Sequence, residues 1–406
     1  MSPSCFRLTV LALCGAAVLA SGCSEDGEPP TAPAAGPAHA LTAGPLSFRQ
    51  ISTGDTHACG VTTDNLAYCW GSSEWGQLGD GSTGGSDSEE CNTHPCSSRP
   101  VAVAGGLRFS HVSAGSQHTC GITTDRRAYC WGSNFMGALG NGTQNSTRAP
   151  VRVAGTRLFR QVRAGNGFTC ALASDAAFCW GANNWGQLGD GTTTGRLRPV
   201  RVVGGLAWQQ LSAGSVHACG ITQANRAYCW GKNGGALGNG TTTQKELRPT
   251  AVTGGLQFLQ IEVGVAHTCA VATTEHRAYC WGSGSSGELG DGLGVKNPRP
   301  TAVLGTRRFD NVSAGSAHSC GVTVAGRGFC WGNNVSGQLG DGTRQNRKKP
   351  TALAVALDLV QISAGTGFSC GVTTGNRAYC WGNNFYGQLG DGTTHDHLIP
   401  QPVAGL

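Results

Sequence analysis

The sequence has 406 residues, among them 65 Gly, 16 Pro and 19 Cys, and only 13% of its residues are charged. A glycine content about twice the ordinary share, combined with so little charge, favours short strands joined by tight turns and excludes a helical protein. With 39% hydrophobic residues the chain can bury a large core, which excludes disorder, and a net charge of +6 gives no reason to expect a nucleic acid partner.

The first 22 residues have the order of a secretory signal peptide. Arg7 precedes an apolar stretch from Leu8 to Ala20, which is too short for a typical membrane span. The segment ends in Leu19-Ala20-Ser21-Gly22-Cys23, which resembles the lipobox of bacterial lipoproteins, although Ala20 stands where that pattern prefers Leu. The resemblance implies lipidation of Cys23. An ordinary cleaved signal with an incidental cysteine is the alternative.

Residues 23–46 carry the predicted lipid anchor and a Pro/Ala/Gly-rich stretch that is typical of a flexible linker. We therefore expect an exported protein anchored to a bacterial membrane, at the outer membrane or the cell surface, with secretion as the alternative. No second apolar stretch is long enough to span a bilayer, so the lipid is the only membrane contact that the sequence predicts.

Residues 47–406 consist of one unit repeated seven times. The dipeptide Trp-Gly marks each copy, and after a first interval of 61 residues its spacing is 49 to 51. A period of this length is typical of propeller blades. The seven tryptophans are Trp70, Trp131, Trp180, Trp230, Trp281, Trp331 and Trp381.

Each unit contains four short segments: a strand opened by Pro, a V/I-x-A-G run, H-x-C-G-V/I-T and R-A-Y-C-W-G, followed by the loop G-Q-L-G-D-G-T. Alternating apolar positions in these segments predict a four-stranded antiparallel blade. Because one blade cannot bury both of its faces, seven must stack around an axis, which predicts an all-β, seven-bladed propeller. The chain begins at Phe48 without a Pro strand and ends with one, Pro400 to Val403. We therefore expect the C-terminal strand to complete the first blade and close the ring.

The pattern G-x-x-H-x-C/A-x-T…Y-x-W-G-x-N-x-x-G-Q-L-G-D-G resembles the repeat of the regulator of chromosome condensation family. The resemblance covers residues 48–406 and implies the propeller fold. In architecture the chain is also similar to a secreted bacterial propeller that inhibits β-lactamase, which implies a protein-binding role. For eukaryotic members the resemblance would imply guanine-nucleotide exchange and chromatin binding, which the signal segment, the cysteines and the weak positive charge oppose.

The cysteines predict eight disulfides. In a hairpin whose turn centres on Asp64, Cys59 directly faces Cys69 at a Cα separation that a disulfide accepts, and an exported chain enters an oxidising compartment. A zinc site is the disfavoured alternative, because each blade offers two cysteines and usually one histidine, spaced across a hairpin. Cys91 and Cys96 form the eighth pair, in an insertion at about 84–97. The other predicted pairs are Cys59–Cys69, Cys120–Cys130, Cys170–Cys179, Cys219–Cys229, Cys269–Cys280, Cys320–Cys330 and Cys370–Cys380.

The repeated histidines and aspartates are interpreted as structural. Phe168 and Phe368 replace the histidine in two repeats, and Asn141 and Asn239 replace the aspartate of L-G-D-G in two others, which favours a buried position and a local turn over a ligand site. No catalytic residue, metal ligand or cofactor is predicted. The positions are His57, His118, His217, His267 and His318, and Asp80, Asp190, Asp291, Asp341 and Asp391.

The loop after Trp-Gly differs between repeats, and in four of them it carries large apolar side chains. These four blades are neighbours around the ring, so the side chains should form a crescent on one face, where aromatic residues favour protein binding. The alternative is that the rings pack on the neighbouring blade. The acidic insertion is a second candidate contact. The candidate partner-binding residues are Trp75, Phe135, Met136, Trp185, Phe385, Tyr386, Glu89 and Glu90.

Two classes of function follow from these features. The first is a monomeric, envelope-anchored propeller without intrinsic catalysis, which binds an unknown protein partner that it inhibits or organises. The second is a lyase or hydrolase acting on envelope polysaccharide or peptide, with its site at the channel mouth. A cluster of non-repeated acids or histidines at that mouth would favour the enzyme.

Overall fold

The computed structural model describes residues 46–82, 89–174 and 176–405, which form seven antiparallel β-sheets. Six sheets have four strands, and the first has a fifth, contributed by the insertion. These are the seven blades of an all-β propeller, as the sequence predicts. The predicted signal segment, Cys23 and the linker up to residue 45 lie outside the described residues.

The first three blades comprise strands β1 to β13. They are β1 Phe48–Thr53, β2 His57–Thr62, β3 Ala67–Ser72, β4 Glu89–Cys91, β5 His94–Ala102, β6 Phe109–Ala114, β7 His118–Thr123, β8 Ala128–Gly132, β9 Thr147–Arg152, β10 Gln161–Ala164, β11 Phe168–Ala173, β12 Ala176–Gly181 and β13 Arg196–Arg201.

Blades four to seven comprise strands β14 to β29. They are β14 Trp208–Ala213, β15 His217–Thr222, β16 Ala227–Lys232, β17 Lys245–Ala251, β18 Phe258–Val263, β19 His267–Ala272, β20 Ala278–Gly282, β21 Asn297–Ala302, β22 Phe309–Ala314, β23 His318–Thr323, β24 Gly328–Gly332, β25 Arg347–Ala352, β26 Leu359–Ala364, β27 Phe368–Thr373, β28 Ala378–Gly382 and β29 His397–Pro402.

The ring closes without strand exchange, so the expectation that the C-terminal strand completes the first blade is wrong. β29, which carries Pro400, pairs with β28 of its own blade, and β3 of the first blade pairs with β5. Each blade therefore ends, rather than begins, with its Pro strand. Proline cannot donate a ladder hydrogen bond, so it belongs in the outermost strand, which has a free edge.

Blades seven and one are joined by the same side-chain contacts as other neighbours. The Gln361 amide accepts from Ile51 N at 3.0 Å and donates to Ile51 O at 2.8 Å. The Gln50 amide makes the equivalent pair with Val112, at 3.0 and 2.9 Å. Phe48 N also donates to Asn376 O at 2.7 Å. Closure thus rests on repeated polar contacts between innermost strands.

The core lies between neighbouring blades rather than inside one blade. The second and third strands are buried along almost their whole length, because a neighbouring blade covers each of their faces. The expected alternation of more buried and less buried side chains is seen in innermost strands such as β1. Each repeated Trp packs under the loop of the preceding blade, and Trp131 Nε1 donates to Gln77 O at 3.0 Å. At Gly79, which has a φ of +72°, a Cβ would lie 2.5 Å from that indole nitrogen. This close approach explains the first Gly of L-G-D-G.

The propeller has two faces, which differ in the connections that they expose. The upper face carries the loops from the first to the second strand and from the third to the fourth strand of each blade. The lower face carries the hairpin turns between the second and third strands and the connections from one blade to the next. Among the described residues the single helical element is the 3-10 turn Phe135–Gly137, and no helix there is long and apolar enough to cross a membrane.

Candidate functional site

All eight predicted cysteine pairs are disulfides in the structure. Seven of them join the second and third strands of a blade with Cα–Cα distances of 4.0 to 4.1 Å, in the register Cys59↔Cys69 and its equivalents. The eighth, Cys91–Cys96, joins β4 to β5. In the chain-entropy account, loops of this size each contribute roughly 2–3 kcal/mol to stability. The blades are therefore covalently fixed beneath both faces.

The repeated histidines hold neighbouring blades together. His57 Nε2 lies 2.8 Å from Thr119 Oγ1, whose own proton goes to Gln77 O, so the histidine is the donor of this pair. Burial, followed by the charge of His118, lowers the pKa of His57 to about 3. The other four histidines make the same contact to Thr or Ser of the next blade. These neutral, buried side chains are structural, as the sequence analysis interpreted them.

A coupled substitution between repeats, which the sequence analysis missed, marks these contacts. Where Phe168 or Phe368 replaces the histidine, the facing position of the next blade is Ala218 or Ala58 instead of Thr or Ser. The repeat therefore exchanges a hydrogen-bonded pair for an apolar one. Phe368 in blade seven is matched by Ala58 in blade one. The sequence therefore also indicates that the last blade packs against the first.

The aspartates of L-G-D-G stabilise their own turns. Asp190 Oδ1 accepts from Thr192 N at 2.9 Å, and its other oxygen accepts from Arg196 at 2.9 Å. Asn141 and Asn239 accept the same backbone bond where they replace the acid. The local-turn interpretation is therefore correct for these positions.

The channel wall is built from two rings of repeated polar side chains. One ring is Gln in most blades, as at Gln50 and Gln361, and the other is Ser, whose hydroxyl accepts from a backbone N–H of the next blade, as Ser52 does from Ala114 at 3.0 Å. Both rings border a chamber of about 300 Å³. Above it lies a second cavity of about 310 Å³, lined by the Gly-x turns of the upper face.

Arg163 and Glu262 break the serine ring with opposite charges and meet inside the channel. Their side chains lie 3.3 Å apart, and because blade four separates their two blades, this ion pair reaches across part of the channel. Glu262 also accepts from Ser212 Oγ at 3.0 Å, and Arg163 lies 3.2 Å from His111 Nε2. Burial and then Arg163 lower the pKa of His111 to about 3. The signal for these residues was present in the sequence, because Arg163 and Glu262 replace the repeated Ser and His111 replaces the repeated Gln.

Two of the candidate partner-binding rings lie around one cavity on the upper face. Trp75 of blade one and Tyr386 of blade seven line a cavity of about 180 Å³ together with Asp55 and Glu74. The side chain of Trp75 is 42% exposed, and that of the neighbouring Phe385 is 43% exposed. We call Trp75, Phe385 and Tyr386 the aromatic cluster. The cavity thus combines aromatic rings with the carboxylates of Asp55 and Glu74.

The insertion packs on the aromatic cluster. The His94 ring lies 5.3 Å from the Tyr386 ring and 5.9 Å from the Phe385 ring, and Asn92 donates to Phe385 O at 2.7 Å. The Glu89 carboxylate accepts from the backbone N–H and the hydroxyl of Ser98, at 2.8 and 2.6 Å, and both Glu89 and Glu90 are exposed. The insertion therefore extends the first blade and supports one edge of the cluster.

The remaining candidates lie on the next two blades, beside residues other than those of the aromatic cluster. Phe135 is 70% exposed, and its ring lies beside Gly167 of the next blade. Met136 follows it in a left-handed conformation, with φ at 57°. Trp185 is half-buried, with Lys232 Nζ 4.7 Å from its ring centre. The contacts found among the described residues link blades seven and one but do not extend the cluster to Phe135.

No group of three or more His, Cys, Asp or Glu side chains that could hold a metal ion is found within residues 46–82, 89–174 and 176–405. The fold and its exposed loops thus define a disulfide-stabilised propeller scaffold.

This scaffold belongs to the family of RCC1-like domains, whose profile matches residues 9–304. The repeat of regulator of chromosome condensation (RCC1) matches residues 309–338 and 359–388 in one form, and 325–372 and 376–406 in another. The family that the sequence pattern resembles is therefore confirmed.

Two relatives show local sequence similarity. The chain is 34% identical over 97 residues to the ultraviolet-B receptor UVR8 of Arabidopsis thaliana, which is 24% of this chain and 20% of that protein. It is 28% identical over 99 residues to the E3 ubiquitin-protein ligase HERC2 of Homo sapiens, which is 24% of this chain and 2% of that protein.

Solved structures with low sequence identity share the fold. Human WBSCR16 matches with a TM-score of 0.73 and 18% identity, covering 82% of this chain and 89% of that chain. Yeast RCC1 (Prp20), bound to Kap60, matches with a TM-score of 0.71 and 20% identity, covering 85% of both chains. The ectodomain of the receptor kinase CR4 from Physcomitrella patens has a TM-score of 0.53 and 21% identity, covering 83% of this chain and 74% of that chain.

Proposed function

We propose that this protein is a non-catalytic platform that binds a partner protein through its upper face, exported and tethered by a lipid on Cys23. One observation carries the proposal: the exposed aromatic side chains Trp75, Phe135 and Phe385 all lie in loops of the upper face. Exposed Trp, Tyr and Phe side chains that surround a cavity are typical of the centres of protein interfaces.

The aromatic cluster and its carboxylates define the chemistry of the partner. Asp55 is held by the hydroxyls of Ser116 and Thr366, and Glu74 is exposed, so the cavity has a negative rim. An apolar side chain carried on a basic loop fits this arrangement, because the rings bury the apolar group while the carboxylates pair with the flanking cation. A partner protein with such a loop is therefore the proposed ligand.

Protein binding by related propellers is consistent with this role. The structures of yeast Prp20 describe it bound to Kap60 and describe its binding to Gsp1p and histones. Those partners belong to Prp20. For this chain they support only the general proposal that a propeller face binds a protein.

The test is capture from the envelope of the source organism with the immobilised full chain, followed by a direct affinity measurement with each purified captured protein. We expect Trp75→Ala/Tyr386→Ala to weaken binding at least about 30-fold, since central aromatic residues often contribute 2 kcal/mol or more. Val335→Ala is the matched control, because Val335 is an exposed side chain in the same loop of blade six. Equal affinities for all three proteins would contradict the proposal.

The enzyme alternative retains one observation in its favour, the non-repeated trio of His111, Arg163 and Glu262. The trio borders the chamber inside the channel, where Glu262 is bound by both Arg163 and Ser212. Turnover of an envelope polysaccharide or peptide that is abolished by Glu262→Gln, in a variant with unchanged thermal stability, would favour this alternative over the platform.

A further inference from the structure

The lower face carries arginines all round the ring. Among the described residues, the arginines of this face over blades four to seven make no side-chain hydrogen bond or ion pair, unlike Arg49, Arg108 and Arg127 in the first two blades. The repeated R-A-Y-C-W-G motif begins at the lower end of the third strand, so its arginine lies at the hairpin turn of each blade that has it. The connection from blade five to blade six adds two more. We call this set the basic sector: Arg226, Arg277, Arg307, Arg308, Arg327 and Arg377.

No arginine of the basic sector is ion-paired within the part of the chain that the structure describes, since none of them lies within 4 Å of a carboxylate. All six side chains are exposed. Three acids share this sector of the lower face, namely Glu275, Asp310 and Asp358. Six positive charges against three negative ones leave a local charge of +3. This charge is available to an external anion.

Part of the sector forms a groove that suits a phosphate group. Arg277, Arg307 and Arg308 line a groove of about 540 Å³ together with Thr306 and Glu275. Guanidinium groups bind phosphate oxygens in pairs, and a threonine hydroxyl adds a neutral donor. Arg307 is supported by the Phe329 ring, 4.5 Å away, which leaves its outer edge free.

Exposed aliphatic side chains lie among the arginines. Val324 stands at the hairpin turn between β23 and β24, and Leu259 and Val360 follow the first residues of β18 and β26; all three are exposed. Arginine mixed with aliphatic side chains is typical of surfaces that lie at the headgroup level of a membrane. Single-stranded nucleic acid would instead require aromatic side chains for stacking, and the exposed aromatic residues of the described chain are on the upper face.

The chain enters the propeller beside the basic sector. Phe48 N donates to Asn376 O, next to Arg377, and Ser47 O accepts from Thr63 N at 2.8 Å, so the residues that lead into β1 lie on the lower face. A tether from Cys23, as the sequence predicts, would therefore reach the propeller at its lower face. A basic patch adds electrostatic attraction to anionic lipids to the affinity that acyl chains supply.

We propose that the basic sector docks the lower face on an anionic lipid bilayer, leaving the upper face directed away from the membrane. The arginines bind lipid phosphates, and the aliphatic side chains contact the acyl boundary. This inference concerns the lower face and holds whether or not the upper face binds a protein.

The test measures partitioning of the full chain, carrying Cys23→Ser to prevent acylation, onto vesicles of phosphatidylcholine alone or with 30% phosphatidylglycerol. The ratio of the two affinities removes the contribution of the apolar segment at residues 8–20. We expect a ratio of at least 50 in 0.1 M salt that falls towards 1 in 0.5 M salt, because each arginine near an anionic surface contributes roughly a five-fold factor that salt screens.

The variant Arg277→Gln/Arg308→Gln/Arg327→Gln/Arg377→Gln is expected to lower this ratio at least about 30-fold. The matched control is Arg99→Gln/Arg198→Gln/Arg248→Gln/Arg299→Gln, which removes the same charge from the outer strands and should change the ratio less than three-fold. Thermal unfolding confirms that both variants are folded.

Three outcomes would overturn the proposal. They are equal affinity of the parent chain for the two kinds of vesicle, an equal loss in the two arginine variants, or binding of duplex DNA through the same four arginines without vesicle binding. The last outcome would assign the basic sector to nucleic acid. Because Trp75→Ala/Tyr386→Ala should leave the ratio unchanged, failure here is distinguishable from failure of the proposed upper-face interaction.

Discussion

The upper and lower faces are built from different connections of the same seven blades, and they also differ in the side chains that they expose. The upper face exposes Trp75 and Phe385 beside carboxylates, whereas the lower face exposes aliphatic side chains and, over blades four to seven, arginines that are not ion-paired. Buried histidines, tryptophans and disulfides repeat with little change beneath both faces. The repeated residues therefore stabilise the propeller, whereas the candidate partner-binding residues lie at exposed or half-buried positions that differ between repeats.

The largest expected effect is the pH dependence of the free energy of unfolding, which affects the whole propeller and hence both faces. Burial lowers the pKa values of the repeated histidines to about 3 to 4, whereas an unfolded histidine titrates near 6.5. The unfolded chain therefore binds more protons below pH 6.5, so stability is full above that pH and is lost as the pH falls towards 3. Urea unfolding at pH 7 and pH 4.5 should differ by several kcal/mol, and equal stabilities would contradict the buried, neutral assignment.

Removal of one blade disulfide has the next largest effect. Cys320→Ala/Cys330→Ala should lower the free energy of unfolding by about 2–3 kcal/mol, because the unfolded chain gains loop entropy. Chemical denaturation under non-reducing conditions measures this loss. As the denaturant unfolds this variant, partner binding and vesicle binding should decline together. Loss of one binding activity while the other is intact would show that the two faces do not depend on the same folded propeller.

The channel ion pair offers a test with an internal rescue. Glu262→Ser leaves Arg163 without its carboxylate and should cost about 1–3 kcal/mol of stability. Arg163→Ser/Glu262→Ser restores the repeated serine at both positions and should recover most of the loss, because a serine there accepts a backbone N–H as Ser52 and Ser313 do. A double variant as unstable as the single one would contradict the view that the pair replaces the serine contacts.

The smallest expected effect on stability comes from the upper face. Trp75→Ala removes a ring that is 42% exposed, so the melting temperature should change by less than about 2 °C while partner affinity falls. Differential scanning calorimetry together with affinity measurements separates the two quantities. A large drop in melting temperature would instead assign Trp75 to packing between blades.

Much of the frame could be predicted from the sequence, because it depends on local hairpins and a fixed period. The pairing of Cys59 with Cys69 follows from counting outward from one turn, and the same count holds in every blade. The prediction of ring closure was wrong, because the sequence allows the Pro strand to be either the first strand of one blade or the last strand of the blade before it. The preference of Pro400 for an outer edge is the signal that would have decided it.

The functional surfaces were less predictable, because they depend on which blades meet in space. The sequence predicted a crescent of rings, but the contact between His94 and Tyr386 joins residues far apart in the chain, and Phe135 lies beside Gly167, outside the aromatic cluster. Net charge also concealed the basic sector, since +6 for the whole chain says nothing about where the arginines lie.

The most direct test of the two-face account is hydrogen exchange of the protein bound to anionic vesicles. The account expects slower exchange in the lower turns at residues 324–327 and 374–377, and unchanged exchange in the upper loops at residues 73–77 and 384–388. Protection of the upper loops, or equal protection of both faces, would contradict the claim that the lower face meets the membrane while the upper face remains free for a partner.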